Sequence, residues 1–555
     1  MKAFEFKPKL LSTLKGYSKE NFMADLMAGI IVGIVALPLA IAFGIASGVS
    51  PEKGIITAIV AGFIISLLGG SKVQIGGPTG AFIVIIYGII QEYGISGLTV
   101  ATLMAGVLLI LLGVFKLGAV IKFIPYPIIV GFTSGIALTI FTTQIADIFG
   151  LQFGDEKVPG DFIGKWMLYF KHFDTVNWWN AIVSFVSVFI IAITPKFSKK
   201  IPGSLVAIVF VTLAVYLMKT YGGITCIDTI GDRFTIQSQL PDAVVPDLNW
   251  EAIKNLFPVA ITIAVLGAIE SLLSAAVADG VIGDRHDSNT ELIAQGVANV
   301  VTPIFGGIPA TGAIARTMAN INNGGKTPVA GVVHTVVLLC VLLLLGGLVG
   351  AIPMPCLAGV LIMVSYNMSG WRTIRSMCRQ SRSDIAVLFT TLLLTVIFDL
   401  TIAIEVGLVL AVVLFMRRIM ENTSISVINK ELEVHHDGEG NDETLTIPPF
   451  AEVYEIDGPF FFGIANKFEE MARTRSKATV RIIRMRKVSF IDATGLHNLE
   501  IFIDSTLESG RKVVLSGVNE NVYKSLKRSG LVAKVGKENI QGNIHTALNR
   551  AAEIC

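Results

Sequence analysis

The chain has 555 residues, 53% hydrophobic and only 15% charged, with a formal net charge of +2. Soluble proteins usually carry about 25% charged residues, so a wholly soluble protein is excluded, and the charge balance gives no support for a nucleic-acid partner. The five cysteines (Cys226, Cys340, Cys356, Cys378 and Cys555) have no paired spacing, which supports neither a disulfide framework nor a metal site.

Charges are sparse from about Asp25 to Arg418 and dense from about Asn429 onward, the mark of a large membrane domain followed by a small soluble one. Residues 1–20 carry five lysines and no apolar core. They read as a cytoplasmic lead-in, not a cleavable signal. Apolar runs of spanning length follow at Phe22–Ile45, Gly54–Leu68, a short run Pro78–Ile90, Leu98–Phe115, Val120–Thr143, Trp178–Ile193 and Ile201–Leu217. Asp147–Asn177 reads as an external loop. After a second polar loop, Thr220–Trp250, the rhythm restarts: Phe257–Ala278, Leu292–Phe305, the short run Gly312–Ile321, Pro328–Leu348, Met354–Met368, Ile385–Ile397 and Thr401–Phe415. From Pro448 the pattern is α/β. Strands are expected at Phe450–Ile456, Thr479–Met485 and Lys512–Ser516, and helices at Phe460–Thr474, Thr494–Glu508, Val522–Ser529 and His545–Ile554. The expected domains are therefore a transport domain at 21–420, with repeats at about 21–218 and 253–418, a linker at 421–447 and an α/β domain at 448–555.

Two interrupted segments stand out. Ile75-Gly76-Gly77-Pro78-Thr79-Gly80-Ala81-Phe82 has a twin in Phe305–Arg316, where Gly306-Gly307 and Pro309 precede Thr311-Gly312-Ala313. Thr311 minus Thr79 is 232, and Asp25 plus 232 is Phe257, the start of the second half. Seven spans per half would invert the second half and place a binding site at the midplane. A helix that begins inside the membrane leaves its first N–H groups without intrahelical partners, and those groups attract an anion. Arg316 adds a full charge. A buried arginine costs about 2.5–3.5 kcal/mol at a helix centre, so it is either a substrate ligand or a partner of Glu270. Glu270, in turn, is either that static partner or a proton carrier. Thr79 and Thr311 are N-cap residue types and are also placed to touch an anion. The lysine and arginine clusters fit one cytoplasmic face that holds both termini. No Ser-His-Asp, metal-ligand or Walker pattern is evident. The reading is therefore not an enzyme, with no cofactor, and Asp279–Asp287 reads as a solvated hairpin.

The sequence resembles the sulfate permease (SulP) family. The resemblance is carried by Leu37–Gly44 through Ser50–Gly54, by Gly77–Ala81, by the run from Glu270 through Arg316 to Asn323–Thr327, and by Ser489–Gly495, which is similar to a STAS domain. It implies a polytopic α-helical fold of about 14 transmembrane segments in a 7+7 inverted repeat, with core and gate subdomains, plus a cytoplasmic α/β STAS domain. It also implies homodimers in the bacterial inner membrane. The implied substrate site is Thr79, Gly80, Ala81 and Phe82 facing Thr311, Gly312, Ala313, Ile314, Ala315 and Arg316, with Glu270 and Ser274 at the coupling-ion position. Sodium-coupled bicarbonate members carry an aspartate at the Glu270 position, so the coupling expected here is to H⁺, with Na⁺ as the alternative. Sulfate is the default substrate; bicarbonate, chloride and C4-dicarboxylates remain open, as do an anion channel and a STAS-linked sensor. Asp492 and Thr494 mark the regulatory loop of the STAS domain, whose partner would be a cytoplasmic protein or a nucleotide.

Overall fold

In a computed structural model the described residues are 6–119, 125–154, 156, 158–159, 161–197, 202–235, 243, 250–398, 400–428, 431–434, 443–463 and 478–555. The chain divides into two compact units, Met1–Ala411 and Val412–Cys555.

The first unit is helical. Its first half holds α1 (Lys9–Thr13), α2 (Lys19–Ala46), α3 (Pro51–Leu68), α4 (Ile83–Val114), α5 (Tyr126–Phe149), α6 (Phe162–Lys171), α7 (Trp178–Phe197), α8 (Gly203–Gly222) and α9 (Ile230–Arg233). The second holds α10 (Trp250–Ile282), α11 (Ser288–Val301), α12 (Ile314–Asn322), α13 (Val329–Gly350), α14 (Met354–Met368), α15 (Trp371–Met377), α16 (Arg382–Ile397) and the start of α17 (Leu400–Asn422), whose residues from Val412 on belong to the second unit. Local chemistry sets several boundaries. Ser18 caps α2 by accepting from Asn21 N, and Pro51 opens α3, where its missing N–H costs nothing. The two runs expected at 78–90 and 98–115 are two helices, labelled together here as α4, that meet at a break where Gly94 takes φ 69° and ψ −175°. The loop expected at 147–177 contains the amphipathic helix α6, and the fourteen-residue α11 starts at Ser288, earlier than the apolar run suggests. Eight of the described helices are long and apolar enough to cross a membrane.

The helices pack in two groups, and each draws on both halves of the chain. In one, α4 lies on α10 and α11, and α2 lies on α3 and α13. In the other, α5 lies on α14 and α16, and α7 lies on α8 and α14. Two buried carboxylates stitch the halves of the first group. Asp25 accepts from the backbone N–H groups of Lys326 and Thr327 and from the Thr327 hydroxyl. Glu291 accepts from Gly70 N and Ser71 N, and from Gln295. Charge-assisted bonds to backbone N–H groups are about twice as strong as neutral ones, and here they hold the loops that flank the interrupted segments.

The second unit has a five-stranded sheet in the order β3 (Ser424–Ile428), β6 (Ala451–Asp457), β7 (Val480–Lys487), β8 (Lys512–Ser516), β9 (Ile540–Gln541). β3 runs antiparallel and the others are parallel. Separately, β4 (Glu431–Val434) pairs with β5 (Glu443–Thr446). Helices α18 (Ala493–Glu508), α19 (Glu520–Arg528), α20 (Leu531–Val535) and α21 (Ile544–Ile554) follow. Apolar clusters cover both faces of the sheet, one around Tyr454, Ile483 and Phe502, the other around Val453, Ile482 and Ala547. The stretch 421–447, expected as linker, contributes β3 to this sheet and carries β4 and β5. Its alternating Ser424-Ile425-Ser426-Val427-Ile428 pairs with β6, so it is structured in the described residues. The helix expected at Phe460–Thr474 falls mostly outside them.

Where α4 crosses α11, a Cβ on Gly106 would stand 2.7 Å from Gly296 O, and one on Gly296 would stand 2.6 Å from Gly106 O. Small residues at such crossings let helix backbones touch. Gly106→Val should therefore separate α4 from α11 at a cost of about 1–3 kcal/mol or more, measured as a lower unfolding temperature of the detergent-solubilised protein. Gly88→Val, where no atom lies within 4 Å of the added Cβ, should change it much less.

Candidate functional site

The two interrupted segments meet. Gly76–Gly77 (β1) pairs antiparallel with Thr311–Gly312 (β2), Gly76 opposite Gly312 and Gly77 opposite Thr311, and Ala313 N donates to Ile75 O at 2.8 Å. In an apolar medium every backbone polar group needs a partner. The two breaks meet this need by pairing with each other, and Gly312 N donates to the Ser271 hydroxyl of α10 at 3.1 Å.

Past the breaks the chain turns into helix on both sides. Gly80–Phe82 forms a 3₁₀ turn leading into α4, and Ala313 is the N-cap of α12. The first bonded N–H of α12 is that of Thr317, to Ala313 O. The N–H groups of Ile314, Ala315 and Arg316 are thus the unbonded donors of a helix start. Ala315 is exposed and Ile314 half-buried, so this start is accessible.

Arg316 is 1% exposed. Its Nη2 donates to Pro78 O at 3.0 Å, whereas Nη1 is buried and has no hydrogen-bond partner. The guanidinium therefore crosses from α12 to the other break. Gly77, at φ 150°, makes room for it: a Cβ there would lie 2.2 Å from Arg316 Nη1. No ion pair joins Arg316 to Glu270. Glu270 lies buried on α10, and the guanidinium is aimed at Pro78 instead. The static pair considered from sequence is thus not formed.

The other expected residues divide. Thr79, Gly80, Ala81 and Phe82 are all buried. Thr79 does not cap: it is extended, at φ −128° and ψ 157°, and its Oγ1 is buried with no partner. Thr311 does not cap either, because its hydroxyl donates to Gly312 O and the helix starts three residues later, at Ile314. Phe82 is a core side chain facing Gly267. Ser274 donates to the Thr317 hydroxyl at 3.3 Å, and that hydroxyl accepts from Ile75 N. Ser274 is therefore tied to the framework of the break. In the second unit, Asp492 is the N-cap of α18, accepting from Gly495 N and Phe462 N, and Thr494 is exposed in the first turn.

Several residues near the breaks escape a sequence reading. Gln74 reaches Ser271 O with its amide nitrogen, and its Oε1 is buried without a partner. Asn320 donates to Val73 O and leaves Oδ1 without one. His334 on α13 is fully buried, with neither ring nitrogen hydrogen-bonded. For His334 the signal is a single polar residue inside an apolar run; Gln74 and Asn320 lie in short polar stretches beside the breaks. Buried polar groups are overwhelmingly satisfied in folded proteins, so these unpartnered atoms on the elements that form and flank the junction set it apart from the apolar core around it.

The loop after α10 corrects one expectation. Asp279 Oδ2 lies 2.7 Å from His286 Nδ1, and His286 Nε2 lies 3.0 Å from Ser288 Oγ, so Ser, His and Asp do line up. The neighbouring donors Asn289 N and Thr290 N are taken by Asp287, so neither is available as the oxyanion donor that acyl transfer needs. The arrangement closes the hairpin. Beside it, the hydrogen bond from Lys72 holds the Asp284 carboxyl below its usual range.

Residues 22–391 match the sulfate permease family and residues 444–547 the STAS domain. The chain is 41% identical, over 94% of its length and 97% of the relative's, to the putative sulfate transporter YvdB of Bacillus subtilis. It is 29% identical, over 90% and 89%, to the bicarbonate transporter BicA of a Picosynechococcus strain. Murine Slc26a9, an anion transporter in the inward-facing state, has the same fold at a TM-score of 0.86 and 19% identity, over 98% of this chain and 94% of that one. The transmembrane domain of a cyanobacterial BicA superposes at 0.62 with 30% identity, over 71% and 98%. The chain is a multi-pass membrane protein of the sulfate permease family of anion transporters, with a C-terminal STAS domain.

Proposed function

We propose that the protein is a secondary active transporter of small anions, with sulfate as the first substrate to test and H⁺ as the coupling ion. The observation that carries the reading is Arg316 Nη1, buried without a partner beside the start of α12. An anion there would meet one full charge, the unbonded N–H groups of Ile314–Arg316 and the unpartnered Thr79 hydroxyl. Charge-assisted bonds of this kind would offset the desolvation of both ions. Similarity to YvdB, a putative sulfate transporter, supports sulfate. Similarity to BicA supports bicarbonate as the second reading.

For coupling, Glu270 is a buried carboxyl not paired with Arg316. Such a group can take up and release a proton as the site opens to either side, and it carries no fixed pair that this would break. The mechanism is alternating access. The helix group built on α2–α4 and α10–α13 moves against the group built on α5, α7, α8, α14 and α16, carrying the site between faces. Fourteen crossings, an inner-membrane location with both termini cytoplasmic, and a homodimer belong to the same reading. The STAS domain is assigned regulation through a cytoplasmic protein or nucleotide.

Proteoliposomes offered labelled sulfate or bicarbonate under an inward proton gradient, an inward sodium gradient or neither would test this. Accumulation should require the proton gradient and vanish in Arg316→Ala. Uptake driven by sodium alone would refute proton coupling, and no Arg316-dependent uptake of any anion would refute the site. Glu270→Gln should leave exchange between equal internal and external anion pools but abolish proton-driven accumulation; unchanged pH dependence would exclude Glu270 as the proton carrier. Gly77→Ala should mimic Arg316→Ala, because its Cβ occupies the guanidinium's position. The variant should still fold, with an unfolding temperature lowered by the strain of an L residue at φ 150°.

A further inference from the structure

The second unit holds a crevice that the transport reading does not use. It lies outside the carboxyl ends of β7, β8 and β9 and has a volume of about 470 Å³. Its position follows from topology. The loop after β8 (residues 517–519) leads to α19, whose Val522 and Leu526 pack with Ile483 on one face of the sheet. The loop after β9 (residues 542–543) leads to α21, whose Ala547 and Ala551 pack with Ile482 on the other face. β8 and β9 are parallel neighbours. Neighbouring parallel strands whose chains leave toward opposite faces open a gap between their two loops, and sheets of this kind bind ligands in that gap. Both loops line the crevice.

Two helix starts face it. Asn519 caps α19 by accepting from Val522 N at 2.9 Å, and Asn543 caps α21 by accepting from Thr546 N at 2.8 Å. Both caps line the crevice. The first main-chain bonds of these helices run from Tyr523 N to Asn519 O and from Ala547 N to Asn543 O. The N–H groups of Glu520, Asn521 and Ile544 are therefore left as donors, with the positive ends of two helix dipoles behind them.

A second observation is independent of the helices. Ser516, the last residue of β8, lines the crevice, is 1% exposed, and its Oγ has no hydrogen-bond partner. Side chains alternate along a strand. Val514 belongs to the cluster under α21, so Ser516, two residues on, lies on the same face, toward the start of that helix. A buried hydroxyl without a partner costs about 1–3 kcal/mol, and a ligand oxygen on the crevice floor would supply what it lacks. Net charge is not the basis of the site. Arg484, in register with Ser516, donates to Glu455 at 3.0 Å, and Arg486 and His545 have partners of their own. Among the described residues that line the crevice there is no carboxylate, so an anion would meet neutral donors without a facing negative charge.

We infer that this crevice binds a phosphate group, free or carried on a small ester, with Ser516 and the N–H groups at the starts of α19 and α21 as its donors. A tetrahedral oxyanion can accept from a strand end and a helix start together. The volume falls within the range of about 300–1,000 Å³ usual for small-molecule sites, which leaves room for an organic part. The inference gives a ligand class to the regulatory role proposed above for the STAS domain and rests on that role for its consequence; the binding itself does not depend on transport.

Hydrogen–deuterium exchange of the detergent-solubilised full chain, read by mass spectrometry, tests it. The probes are inorganic phosphate, adenosine 5′-monophosphate and adenosine. At about ten times its Kd, phosphate or the monophosphate should slow exchange roughly tenfold in peptides covering 516–523 and 541–547, and adenosine should not. Protection by the monophosphate alone would assign the site to esters, and protection by phosphate alone to the free anion. Ser516→Ala should raise the Kd roughly tenfold by removing one donor to a charged group. It should not lower the unfolding temperature, because the hydroxyl it removes has no partner. Gly542→Leu places its Cβ where no atom lies within 4 Å, so it should fold and abolish the protection. Unchanged exchange with both phosphate probes, protection by adenosine equal to that by its monophosphate, or a Kd indifferent to both substitutions would overturn the inference. None of these readouts involves flux, so a failure of the transport reading would leave this one to be judged separately.

Discussion

A helix that starts in the middle of a membrane has to do something with its first N–H groups. This constraint shapes the centre of the protein. Two breaks in the apolar sequence each expose backbone that lipid cannot satisfy, and the fold brings them together so that Gly76–Gly77 and Thr311–Gly312 satisfy each other. What is left over are the donors at the start of α12, and Arg316 is laid beside them with one nitrogen bonded to Pro78 O and one free. The small residues, the pairing of the two halves and the buried carboxylates Asp25 and Glu291 all serve to hold this junction. Without the second half, the first half's break would have no partner.

The same constraint explains why the two helix groups are mixed from both halves. A site shared between breaks 232 residues apart by the Thr79–Thr311 spacing requires α3, α4, α10, α11 and α12 to pack as one body, which they do. The group built on α5, α14 and α16 carries neither break. It touches the junction through apolar side chains such as Ile140 and Met368 against Gly80. Contacts of that kind can slide or part without stranding a charge, whereas the hydrogen-bonded junction cannot be opened cheaply. This difference in chemistry is the physical ground for regarding one group as the carrier of the site and the other as its frame.

Much of this was legible in the sequence because its signals are long or strongly typed. Spanning runs, the Gly-Gly and Pro-Thr-Gly-Ala repeats and the lone Arg316 located the membrane domain and the breaks. In the second unit Lys512–Ser516 falls on β8 as expected. The misses have physical causes. His334 is an isolated polar residue in an apolar run, Gln74 and Asn320 sit among other polar residues beside the breaks, and Ser271 adjoins Glu270; no periodicity tells whether such a residue faces a break or a neighbouring helix. Of the two readings left open for Arg316, the pair with Glu270 rested on charge alone, and direction decides against it: Arg316 points across the junction to Pro78. β3 was hidden because a five-residue edge strand carries a weak pattern and adjoins an acidic stretch. The Asp279–His286–Ser288 alignment depends on a turn that brings together residues seven and two apart in sequence.

The central claim is that an anion completes the coordination of Arg316 at the meeting point of the two breaks. The most direct measurement is a crystallographic anomalous difference map of the protein soaked in bromide and, separately, in selenate. The account predicts a peak within about 4 Å of Arg316 Nη1, at the range of a charge-assisted contact, close to the start of α12, and its loss in Arg316→Ala. A map with no peak there, or with Glu270 turned onto the guanidinium in its place, would contradict it.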